Sequence, residues 1–144
     1  MQIISKNLPE TEKIAREFAK KILKQKRDKA LVVGLYGDLG SGKTTFVQML
    51  AKILGIKESI TSPTFVILKN YRLLTANYLL LIHIDAYRLE SGKELEKLGW
   101  KEISDNPENI ILIEWPERVS EILPSDMIKI NFEFVDENTR KIEL

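Results

Sequence analysis

Three observations predict an α/β fold with a mixed, mostly parallel central sheet flanked by helices. Apolar runs of strand length alternate with stretches of helical period. A glycine-rich loop joins the first buried run directly to an amphipathic stretch. The chain then closes on an alternating segment, a turn and a return segment, which read as an antiparallel hairpin.

The elements follow in order. Pro9 stands near the start of a helix-like stretch, where proline is tolerated. Ile14, Phe18 and Ile22 recur four apart on its apolar face, and Lys13, Arg16, Glu17, Lys20 and Lys24 read as its solvated face. Residues 30–36 form a continuous apolar run with β-branched residues, the mark of a buried strand. After the glycine-rich residues 37–42, residues 44–54 read as a helix with Phe46, Val47, Leu50, Ala51 and Leu54 on one side, and Gly55 as its cap. Residues 65–71 and 78–84 read as strands, the second ending at Asp85. Residues 93–98 read as a short helix closed by Gly99, and residues 109–113 as a buried strand ending at Glu114. Ile128, Ile130, Phe132 and Phe134 alternate, Asp136-Glu137-Asn138 signals a turn, and residues 141–144 supply the return strand. With no repeat, linker or low-complexity segment, residues 1–144 read as a single domain.

Composition bounds the function. Hydrophobic residues make up 44% of the 144 and charged residues 30%, with a net charge of +1, so the chain has material for a core and no general basic grip on nucleic acid. The absence of cysteine excludes disulfides, thiolate metal sites and thiol nucleophiles. Residues 78–82 are the longest apolar run, far too short to span a bilayer, and the N-terminus lacks a signal-like apolar stretch; a cytoplasmic location is expected.

Gly37, Gly42, Lys43 and Thr44 satisfy the phosphate-loop pattern G-x-x-x-x-G-K-[ST], between a buried strand and a helix as that pattern requires. Its glycines let the backbone curl closely around an anion. The amides of residues 40–45 (Gly40, Ser41, Gly42, Lys43, Thr44 and Thr45) then face one concavity, to which the helix N-terminus adds positive potential. Lys43 is a point charge for β- and γ-phosphates, and the Thr44 hydroxyl suits Mg2+. A P-loop NTPase-like domain is therefore expected.

A magnesium site in such a fold needs an acid at the carboxyl end of a neighbouring strand, and both Asp85 and Glu114 follow buried apolar runs. Each would otherwise merely open a surface loop. One should hold the metal and the other orient the attacking water; sequence does not decide which. Ser62-Pro63-Thr64, ahead of a strand, is either an ordinary turn or a switch-like segment sensing the γ-phosphate. Arg88 and Arg118 read as structural ion-pair partners, His83 as a packed or hydrogen-bonded core histidine, and Trp100 and Trp115 as packing residues, Trp115 less so beside Glu114. No Asn-Lys-x-Asp guanine signature occurs, which points to ATP.

Taken together, the loop from Gly37 to Thr45, Ser62-Pro-Thr-Phe65, His83-Ile-Asp-Ala-Tyr-Arg-Leu89 and Ile113-Glu-Trp-Pro-Glu-Arg118 resemble, in order, the motifs of the bacterial TsaE (YjeE) family. The resemblance implies a weak, partner-dependent ATPase required for threonylcarbamoyladenosine modification of tRNA. It implies partners of TsaD and TsaB type, with tRNA reached through their complex. It makes Gly40 to Thr45 the phosphate site with Lys43 catalytic, Thr44 and Glu114 magnesium ligands, Asp85 an aid to metal and water, and Ser62, Pro63 and Thr64 a switch. Thr11 and Arg140 would flank the adenine. Ser41 and Ala86 are mild departures from the family pattern. A small-molecule P-loop kinase is the alternative, but no arginine cluster resembles a lid; a GTPase lacks its guanine signature.

Overall fold

The computed structural model describes residues 1–60 and 67–144. Ser62, Pro63 and Thr64 lie outside the described residues. Among those described, seven strands form one sheet: β1 (Gln2–Ser5), β2 (Leu31–Tyr36), β3 (Leu68–Arg72), β4 (Leu80–Asp85), β5 (Asn109–Glu114), β6 (Ile128–Phe134) and β7 (Arg140–Glu143). Their spatial order is β1-β7-β6-β2-β5-β4-β3. The pairs β6/β2, β2/β5 and β5/β4 are parallel; β3 joins antiparallel at one edge, and β7 and β1 at the other. The expected mixed sheet with a C-terminal hairpin is thus present.

Helix α1 (Leu8–Leu23) begins where Asn7 Oδ1 accepts the Glu10 amide at 2.9 Å, satisfying one of the first-turn donors. Helix α2 (Lys43–Ile53) follows the phosphate loop. Both pack on one sheet face through Ile14, Phe18, Phe46 and Leu50, against Val33, Leu81, Leu112 and Phe132. Phe46 lies at the centre, its ring 6.0 Å from Phe18 and 5.4 Å from Phe132; burying such a side chain contributes about 1.5–3 kcal/mol. The opposite face, with Val32, Ile84, Ile111 and Ile113, is covered by Leu95 and Trp100 from two short helices, α3 (Gly92–Lys97) and α4 (Trp100–Asp105), and by Val119 of a kinked 3-10 segment, Pro116–Ile122.

Several boundaries differ from the sequence reading. The strand expected over 78–84 begins at Leu80, because the Tyr78 amide bonds Thr75 Oγ1 and the amides of Leu79 and Leu80 both turn to the Glu108 carbonyl. The strand expected over 65–71 is described from Leu68 to Arg72, and residues 65 and 66 lie outside the described residues. The helix expected over 93–98 is α3, and Gly99, at φ +95°, closes it as expected; α4, which the sequence reading did not give, starts directly after that glycine. Strand β1 carries little pattern of its own and forms by pairing Ile3 with Ile142 of β7. Neither Arg88 nor Arg118 forms an ion pair among the described residues; Arg118 instead lies over the Tyr87 ring at 5.5 Å. Among the described residues no helix is long and apolar enough to cross a membrane.

Candidate nucleotide site

The site is built at the carboxyl end of the parallel strands. Strand β2 delivers the chain to a loop that reverses at three glycines with positive φ: Gly37 at +146°, Gly40 at +80° and Gly42 at +104°. Gly37 is the tightest. A Cβ there would sit 2.6 Å from both the Phe132 carbonyl oxygen and Ser41 Oγ, so only glycine lets the loop pass β6 at this depth. The loop ends at Gly42, where the Phe46 amide returns to the Gly42 carbonyl at 3.0 Å and starts α2. The positive end of that helix therefore opens at Lys43, Thr44 and Thr45.

Lys43 is buried, donating to the Gly37 carbonyl and lying 3.7 Å from the centre of the Trp115 ring. Its burial lowers its pKa from the ordinary lysine value, while the carboxylates of Glu114, Glu117, Asp85 and Asp38 pull it back up. Thr44 Oγ1 donates to Glu114 Oε1 at 3.1 Å. Glu114, only 3% exposed, accepts on its other oxygen from His83 Nε2 at 2.7 Å. Ser41 is buried too, and its Oγ has no hydrogen-bond partner among the described residues.

Register explains why the two acids meet the loop. Asp85 and Glu114 are paired residues at the ends of the parallel neighbours β4 and β5, and Glu114 also pairs with Leu35 of β2. Side chains alternate along a strand, so Leu81, His83 and Asp85 share the face of Ile110, Leu112 and Glu114, which is the α2 face. Asp85 Oδ1 accepts the Tyr87 amide at 3.0 Å. Tyr87 stacks on Trp115 with ring centres 5.0 Å apart. Trp115 is the sole non-glycine residue of positive φ, +59°, among the described residues.

A second set of residues converges beside Gly42 and Thr45. Thr11 of α1 and Arg140 of β7 line one cleft of about 390 Å³ with Asn7, Pro9 and Phe132. The Arg140 side chain runs alongside Gly42, where a Cβ would meet its Nε at 3.5 Å. Its guanidinium lies 4.7 Å from the Phe134 ring and donates to the Asp136 and Thr139 carbonyls. Thr11 Oγ1 is held by Ser5 Oγ at 2.7 Å and the Asn7 carbonyl at 3.3 Å.

The structure thus gathers Gly40 to Thr45, Asp85 and Glu114 around one loop mouth, with Thr11 and Arg140 at its flank. Sequence reasoning did not find the contact of Trp115 with Lys43, nor the hydrogen bond that makes His83 part of this cluster. The only available signal for the second was the two-residue spacing from His83 to Asp85, which puts both on one face.

The oxygen donors fit magnesium. A hydroxyl and a carboxylate side by side, with a second carboxylate on the adjacent strand, match a hard cation that keeps most of its shell for water and phosphate. Among the described residues no group of three or more His, Asp or Glu forms a metal cage, and this donor set does not require one.

The family model described as "Threonylcarbamoyl adenosine biosynthesis protein TsaE" matches residues 5–142. The protein named "tRNA threonylcarbamoyladenosine biosynthesis protein TsaE" in Rickettsia felis is 40% identical over 139 residues, covering 96% of this chain and 75% of that protein. Its namesake in Haemophilus influenzae is 36% identical over 132 residues, covering 92% and 80%. The crystal structure of Bacillus subtilis YdiB aligns with a TM-score of 0.72 at 31% identity, over 99% of this chain and 82% of that one. On a family match that spans nearly the whole sequence and a fold that agrees with it, the chain belongs to the TsaE family.

Proposed function

We propose that this protein is a magnesium-dependent ATPase required for threonylcarbamoyladenosine modification of tRNA, acting with partners of TsaD and TsaB type. The names of its relatives support the pathway. The observation that carries the ATPase reading is the Thr44–Glu114 hydrogen bond at the mouth of the Gly37–Thr44 loop. It sets a loop hydroxyl and a strand-end carboxylate within reach of one cation.

In this reading the amides of Gly40 to Thr45 bind the phosphates, and Lys43 neutralises the β- and γ-phosphoryl oxygens. Thr44 and Glu114 would hold magnesium, which would supply positive charge against the phosphoryl oxygens. Asp85, one strand over, orients the water for in-line attack. Thr11 and Arg140 border the adenine, and Ser62, Pro63 and Thr64 form the switch that reports the γ-phosphate. Hydrolysis resets a larger tRNA-modifying complex, and the location is the cytoplasm.

The test is reconstitution of tRNA modification from purified TsaD- and TsaB-type proteins, tRNA, ATP and magnesium, with this protein or its Lys43→Ala variant. Loss of modified adenosine with the variant is expected. Modification that proceeds equally with the variant refutes the proposal.

A further inference from the structure

Below its last row, the face of β4 and β5 that meets α2 is apolar apart from one residue. Leu81, Ile110 and Leu112 are all fully buried there. His83 interrupts that surface. It is 0% exposed, pairs in register with Leu112, and lies two residues below Asp85 on the same strand face. A histidine placed only to fill this space would do the work of a leucine at the added cost of burying two ring nitrogens. Its Nδ1 has no hydrogen-bond partner among the described residues. Among the described residues its ring bonds one atom, Glu114 Oε2, at 2.7 Å. A carboxylate only accepts, so Nε2 carries the proton and donates.

That bond constrains Glu114 in a specific way. A carboxylate at a strand end swings about its terminal torsion, which has broad minima. With Oε2 fixed by His83, Oε1 is left turned to Thr44 Oγ1 at 3.1 Å. We propose that His83 is a positioning residue for the magnesium site: it locks the Glu114 carboxylate so that one oxygen stays beside Thr44. The inference rests on the assignment of Thr44 and Glu114 as the metal pair. Partners that orient a ligating group change metal affinity by about ten- to a hundredfold when removed, whereas a packing residue changes stability without touching metal preference.

The experiment measures binding of a fluorescent ADP analogue across a magnesium titration, and in EDTA, for the wild type and three variants. His83→Leu keeps the bulk and removes the donor. His83→Gln places an amide donor near the position of Nε2, and His83→Asn places the same donor one methylene short. For His83→Leu and His83→Asn, the magnesium concentration for half-maximal effect should rise about tenfold or more, with binding in EDTA within about twofold of wild type. His83→Gln should recover most of the loss. Equal behaviour of Gln and Asn overturns the proposal, as does a loss in His83→Leu that is the same in EDTA as in magnesium. The Gln–Asn comparison stands even where His83→Leu fails to fold. A wild type that binds the analogue identically with and without magnesium overturns the metal assignment itself, and the inference with it.

Discussion

Gly37 is the residue at which the loop geometry is tested most directly, by comparison with Gly40. Both have positive φ, but their surroundings differ. An added Cβ at Gly40 meets nothing within 4 Å, so Gly40→Ala costs only the backbone strain of a left-handed alanine, about 1 kcal/mol. At Gly37 the strain at φ +146° is joined by contacts of 2.6 Å to the Phe132 carbonyl and to Ser41 Oγ. The first is backbone of a central strand and does not rotate away. Strain of about 1–3 kcal/mol and overpacking of similar size bring Gly37→Ala to roughly 4 kcal/mol. Against a domain stability of about 5–15 kcal/mol this is a large share. In urea unfolding, with a slope of about 2 kcal/mol per molar, the midpoint should fall by roughly 2 M for Gly37→Ala and about 0.5 M for Gly40→Ala. Because Lys43 donates to the Gly37 carbonyl, nucleotide binding should fail with it. Equal midpoint shifts for the two variants would refute the reasoning.

Three further outcomes are expected. The lowered pKa of Lys43 means that phosphate, which favours the charged amine, must draw a proton back at alkaline pH; nucleotide affinity in EDTA should therefore fall as pH rises from about 7 to about 10, and Lys43→Met, weaker throughout, should lose that slope. Glu114→Gln removes a negative charge beside the proposed phosphate site, so nucleotide binding in EDTA should hold or tighten while the gain from magnesium and phosphate release both drop about tenfold or more, read by fluorescence titration and phosphate assay. Arg140→Ala removes a wall of the cleft beside Gly42 and should weaken ATP about fivefold while leaving inorganic triphosphate unchanged in competition binding, about 1 kcal/mol carried by the base alone.

What was legible in the sequence is what is written contiguously. The strand of residues 31–36, the loop and α2 form one uninterrupted signal, because each needs only its own period and its own glycines. The acids were legible as strand ends for the same reason. Their placement was not, since it depends on register between strands twenty-odd residues apart: only pairing of Asp85 with Glu114 puts them side by side. Strand β1 and helix α4 were missed because each forms on tertiary support, β1 by pairing with β7 and α4 by burying Trp100 under the sheet. The nearness of Thr11 to Arg140 came from family resemblance alone. They lie at opposite ends of the chain, and nothing local to either marks the other.

The end of β5 shows how one strained residue completes the site. In an extended strand Glu114 and Trp115 would point to opposite faces of the sheet. Trp115 instead takes φ +59°, an uncommon conformation for a bulky side chain, at a cost on the order of 1 kcal/mol. The alternation is broken there, and two consecutive residues both face the loop. Glu114 bonds Thr44, and Trp115 covers Lys43. The helix start presents Lys43 and Thr44 as neighbours around a turn, so a partner segment must also present neighbours; a regular strand, with its period of two, could engage one of them only. Pro116 then opens the 3-10 segment directly after the turn, fixing its own φ and leaving the preceding residue little access to the right-handed helical region. The Glu-Trp-Pro order thus supplies an acid for the hydroxyl, a ring for the amine, and a proline that closes the right-handed helical alternative to the residue carrying the ring.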